Sequence, residues 1–128
     1  MMSPAMLLAV AMGGAVGAVL RFGVLQTTMR LWGTGFPVGT LVVNVAGSLA
    51  MGLAVEWLTA RGLPDVWRGF LTVGLLGALT TFSTFSRDVA LLHERGEMAL
   101  AALYVMLSVC LSVGALFLGL WLGRGFFA

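Results

Sequence analysis

The chain of 128 residues has no lysine, one histidine, one cysteine and five acidic side chains. Its net charge of +2 comes from seven arginines scattered singly, without the basic stripe or cluster that a nucleic-acid surface requires, so no nucleic-acid partner is expected. The lone cysteine, Cys110, forms no intrachain disulfide, and within an apolar run it reads as a small buried hydrophobe. No nucleophile–base pair, metal-ligand cluster or phosphate loop stands in the sequence, which argues against an enzyme. Charged residues make up 9% of the chain, against ~25% in soluble proteins. That is too little polar surface to clothe a water-exposed fold.

What the chain has instead is apolar length. Hydrophobic residues make up 60%, against ~45–50% in soluble proteins. The 18 glycines suggest closely packed helix backbones in lipid. No charged side chain occurs in residues 1–20, 31–55, 69–86 or 98–123, and ~20 apolar residues suffice for a helix to cross a bilayer. We therefore expect one all-α transmembrane domain with spans at about Pro4–Met29, Phe36–Leu58, Trp67–Leu92 and Met98–Leu122. The first run has no preceding Lys or Arg and reads as a retained span, not a cleaved signal. Gly33–Pro37, Arg61–Asp65 and His93–Glu97 carry the turn residues and much of the charge.

Four crossings put both termini on one side. Arg61, Arg68 and Arg124 then face Arg30, Arg87 and Arg95 across the membrane. With the arginines balanced, the positive-inside rule has nothing to act on. We expect insertion in both orientations and pairing of the two as an antiparallel, dual-topology homodimer.

Chemistry concentrates in the third span. Five of the seven residues Thr80-Thr81-Phe82-Ser83-Thr84-Phe85-Ser86 are hydroxylated. Ser and Thr compete with the helix ladder, and Gly74 and Gly77 weaken it further, so a break near Gly77–Thr81 is expected. A broken helix at the membrane midplane is a recurrent way to build an ion site. On the second span Thr40, Asn44 and Ser48, and on the fourth Tyr104, Ser108 and Ser112, recur every four residues and so share a face.

The Thr80–Ser86 string resembles the signature of the Fluc (CrcB) fluoride channels. Gly13-Gly14-Ala15-Val16-Gly17 with Leu20-Arg21-Phe22, Gly39-Thr40-Leu41-Val42-Val43-Asn44, and Tyr104, Ser108 and Ser112 are similar to that family in the same order. The resemblance implies an antiparallel homodimer with two fluoride pores, protecting a prokaryotic cell from fluoride at its plasma membrane. It implies that Phe82 and Phe85 are the pore phenylalanines and Asn44 the pore asparagine. Ser83 and Thr84 would add hydroxyls near the break, and Tyr104, Ser108 and Ser112 would form the polar track. Gly77 and Thr80 would give backbone carbonyls to a structural sodium ion at the dimer centre. Ala78 stands where the family often has a second glycine.

The residue types suit the implied ion. Fluoride is small and strongly hydrated, and an amide NH₂, hydroxyls and the positive edge of a phenyl ring can replace its water. We expect no Asp or Glu inside the spans to repel an anion. The main rival, a small dual-topology multidrug/proton antiporter, needs a protonatable carboxylate within the membrane; the charge-free first run has none and Glu56 sits at a span end, which disfavours it. Arg21 is expected toward the far interface, either snorkelling or lending positive charge to a pore vestibule. Gly13 and Gly17 read as a packing face, and Glu56 and His93 as solvated.

Overall fold

Ser3 and Pro4 decide where the first helix begins. The Ser3 hydroxyl accepts the Met6 N–H at 3.1 Å, and Pro4 has no N–H to leave unpaired in the first turn. In the computed structural model, which describes residues 2–128, α1 runs Pro4–Trp32 and stops at Gly33, which takes a φ of 75°. Pro37 precedes α2, Val38–Arg61. Gly62 ends α2 in the left-handed region, its N–H on the Leu58 and Thr59 carbonyls, and Leu63 N–H closes on Leu58 O at 3.3 Å.

The third rod is composite. It starts as α3, Asp65–Arg68, widens into a π-helical stretch, Gly69–Leu76, and tightens again into α4, Gly77–Leu79. Two extended residues, Thr80 and Thr81, separate α4 from α5, Phe82–Glu94. A turn through Gly96 leads to α6, Met98–Phe127. The four rods are each long and apolar enough to cross a membrane.

Lipid tails are as apolar as leucine, so helices in a bilayer associate through close packing at small residues. Two such seams organise this fold. Along α1, a methyl group on Gly13 would strike the Phe70 carbonyl and one on Gly17 the Leu75 carbonyl, so α1 lies directly on the π-helical backbone. The packing face read from the Gly13/Gly17 spacing is therefore real. Between α2 and α6, Gly52 faces the Leu116 carbonyl and Gly119 the Leu49 carbonyl in the same way.

The interior is small: Phe85, Leu92, Ala101 and Tyr104 form its buried cluster, with Phe36, Leu41 and Val89 packed against it. Many large apolar side chains face outward, among them Leu8, Phe22, Met106 and Trp121, as suits a lipid-facing surface. Cys110 does so as well, which corrects its reading as a buried hydrophobe. Glu56 corrects another expectation. Instead of lying in solvent, its carboxylate accepts the Arg124 Nε–H at 3.0 Å with only 20% of its side chain exposed, its stem resting on Gly123.

Candidate functional site

The helix break is built by side chains that stand in for missing backbone partners. Thr80 turns its N–H and its hydroxyl onto the same Leu76 carbonyl, at 3.1 and 2.9 Å. Thr81 caps α5, its Oγ1 accepting the Thr84 N–H at 3.1 Å. Asn44, reaching across from α2, takes the Thr81 N–H on its Oδ1 at 2.7 Å and donates its Nδ2–H to the Thr81 carbonyl at 3.0 Å. One side-chain amide thereby satisfies both backbone groups of a residue that has left the helix. Gly47, one turn further along α2, leaves the space that the Thr80 methyl occupies.

The extended residues are the threonines. Gly77 stays helical at φ −63°, ψ −36°, whereas Thr80 and Thr81 have ψ of 156° and 123°. The glycines upstream do not themselves open the chain. The exchange of partners has a further consequence. In a continuous helix the Gly77 carbonyl would receive the Thr81 N–H, and the Thr80 carbonyl the Thr84 N–H. Those amides are turned to Asn44 and to the Thr81 hydroxyl instead, which deprives both carbonyls of their helical donors.

Beside the break opens a cleft of about 630 Å³. Asn44 and Ser48 line it from α2, Gly77, Thr80 and Thr81 from the break, Phe82 and Phe85 from α5, and Ser108 and Ser112 from α6. The Ser108 and Ser112 hydroxyls are buried without a hydrogen-bond partner among the described residues. Buried hydroxyls normally find a partner, and an unsatisfied one costs about 1–3 kcal/mol, so the two are free to receive something else. Phe82 and Phe85 stand with ring centroids 5.4 Å apart and planes tilted by 50°. Phe82 is 78% exposed in the single chain and Phe85 8%.

The aromatic contact continues inward. Phe85 meets Tyr104 at 5.2 Å, and Tyr104 meets Phe36 edge-on at 5.5 Å. Tyr104 does not turn its hydroxyl toward Ser108 and Ser112 as a three-rung ladder would. It is wholly buried and donates its O–H to Asp88 Oδ2 at 3.0 Å. Ser83 pairs with the Thr81 hydroxyl at 3.3 Å. Thr84 accepts a 3.4 Å contact from an Arg21 terminal nitrogen, and Arg21 Nε is buried without a partner. Ser83, Thr84 and Arg21 thus gather at the break but not in the cleft.

Asp88 overturns the expectation that the spans hold no carboxylate. It lies inside the third span, is 8% exposed, and has Arg87 at 3.9 Å from its other oxygen. Its position was readable. Phe85, Asp88 and Leu92 are spaced three and four apart, which places Asp88 on the inward stripe of α5.

This is a polytopic, all-helical membrane protein with a polar cleft at a helix break. The sequence model described as "CrcB-like protein, Camphor Resistance (CrcB)" matches residues 8–120, and the chain belongs to that family. It is 51% identical over 123 residues to the "Fluoride-specific ion channel FluC" of Hyphomonas neptunium, covering 94% of this chain and 97% of the relative. The Methylobacterium nodulans protein of the same name is 52% identical over 107 residues, 83% of this chain and 86% of that one. The Shewanella amazonensis protein, again so named, is 47% identical over 110 residues, 86% and 89% of the two chains.

Proposed function

We propose that this protein is a passive fluoride-selective channel, not an enzyme, that lets fluoride leave a prokaryotic cell across its plasma membrane. The observation that carries the proposal is the cleft. Two phenyl rings and two partnerless buried hydroxyls converge there beside a helix break, in a family whose relatives are named for fluoride. A small, strongly hydrated anion that gives up its water there gains O–H donors and ring edges in exchange. Asp88 removes the ground on which the sequence disfavoured a proton-coupled antiporter; family membership now supplies it.

In this reading Phe82, Phe85, Ser108 and Ser112 line the path, and Asn44 holds the break open with one amide N–H to spare. Tyr104 contributes its ring while Asp88 holds its hydroxyl. Ser83 and Thr84 supply hydroxyls at the start of α5, and the Arg21 guanidinium beside Thr84 lends the approach a positive charge. The working unit is an antiparallel homodimer with two pores. Its support is the balance of arginines and the large outward apolar surface of one chain. A structural sodium ion fits the break: the Gly77 and Thr80 carbonyls lack their helical donors, and hard cations take oxygen ligands. When bound, the ion would hold those carbonyls and stiffen the break.

The test is efflux from liposomes that hold the purified protein and are loaded with potassium fluoride, with valinomycin to carry the counter-charge and potassium chloride as control. Fast fluoride release with little chloride release is the expected result. Equal rates for the two anions would end the selectivity reading, and no release of either would end the channel reading.

A further inference from the structure

We infer that Ser48 is a fluoride ligand on the α2 wall of the cleft, facing the Ser108 and Ser112 hydroxyls of α6; this rests on the fluoride-channel reading above. Asn44 presents α2's most polar group to the cleft, yet its oxygen and one of its N–H groups are consumed by the Thr81 backbone N–H and C=O. Ser48 follows Asn44 by one helical turn on the same face and lines the same cleft. A hydroxyl on a helix often bonds back to a carbonyl of the preceding turn. Thr28, Thr59, Thr72 and Ser86 all do so here. The side-chain hydrogen bonds among the described residues do not include Ser48, which borders the cleft, while the Ser108 and Ser112 hydroxyls are buried without a partner.

Three uncommitted hydroxyls therefore border one cleft from two helices that Gly52 and Gly119 hold in backbone contact. An ion passing along α6 has O–H donors on that side, and without Ser48 α2 offers it only the spare N–H of Asn44. Donors from both walls replace more of a fluoride's hydration shell than donors from one. That makes Ser48 a determinant of fluoride permeation as well as of packing.

The test compares wild type, Ser48→Ala and Ser48→Thr in proteoliposomes, reading initial fluoride efflux at several internal fluoride concentrations. Ser48→Ala should lower efflux about tenfold, the effect of one lost hydrogen bond to a charged partner. Its half-saturating fluoride concentration should rise. Ser48→Thr, which keeps the O–H, should return efflux to within about threefold of wild type. Should Ser48→Ala fail to purify, Ser48→Cys, with a weak donor of similar bulk, should also be slow. Wild-type efflux in the Ala variant, or in the Cys variant that replaces it, overturns the inference. So does a Thr variant as slow as Ala, which would mean packing alone. Absence of fluoride efflux from wild type itself would instead sink the channel reading, and this inference with it.

Discussion

The Asn44 side chain grips both backbone groups of Thr81, its Oδ1 2.7 Å from the Thr81 nitrogen and its Nδ2 3.0 Å from the Thr81 oxygen. A residue expected to serve the ion directly is, in the folded chain, first the brace of the break. Within a bilayer no water replaces a lost backbone partner, so the brace and the break stand or fall together.

Asn44→Ala removes both bonds at once. Unfolding followed in detergent should show a loss of about 1–3 kcal/mol, and fluoride efflux should drop with it. A variant as stable as wild type but slow would place Asn44 in the ion's path alone.

Phe82 and Phe85 should separate by their burial. Phe82→Ile, at an exposed position in the single chain, should leave stability within about 0.5 kcal/mol. It should still slow efflux by about three- to tenfold, the worth of one aromatic edge contact. Phe85→Ile should lower efflux and stability together, because its ring packs on Tyr104. Equal melting losses in the two variants would contradict this division.

Tyr104→Phe strands the Asp88 carboxylate without its hydroxyl donor. The single substitution should cost about 1–3 kcal/mol. Adding Asp88→Leu should recover part of that loss, with a coupling of about 1 kcal/mol in a double-mutant cycle. Strict additivity of the two losses would show that the pair is not coupled.

Sodium should raise the melting temperature of protein purified without it. A ligand bound to the native state alone adds about 2.7 kcal/mol at a hundredfold excess over its dissociation constant. Thermal scans in sodium chloride and in N-methylglucamine chloride provide the comparison. Identical curves at every sodium concentration would remove the ion from the break.

Two lysines placed in the Thr34–Gly35 turn should bias every chain to one orientation. C-terminal reporters would change from mixed to one-sided, and efflux should fall for want of antiparallel partners. Co-expression with an oppositely biased chain should restore it. Unchanged reporters and efflux would rule out dual topology.

Much of this protein is legible without coordinates because lipid imposes simple rules. The charge-free runs mark the four rods, and the glycine spacing at Gly13 and Gly17 marks a packing seam. The hydroxylated string marks the region of the break. Asp88 lies beyond the charge-free stretch of the third rod, and it is the helical periodicity of Phe85, Asp88 and Leu92 that carries it inward. Local composition says little of Cys110 and Glu56, because their surroundings depend on which face α6 turns outward and where Arg124 comes to rest.

By itself, the order of residues determined that this chain would be helical, would lie in a membrane, and would concentrate hydroxyls and phenylalanines near one interruption. Which groups are spent and which remain free was decided only by the tertiary structure. Asn44 and Thr81 are 37 residues apart in the chain, as are Asp88 and Tyr104 by 16, and a hydrogen bond exists only where the packed helices bring donor and acceptor within reach. Those pairings leave Ser48, Ser108 and Ser112 uncommitted beside the break, and no periodicity in the sequence distinguishes a spent hydroxyl from a free one.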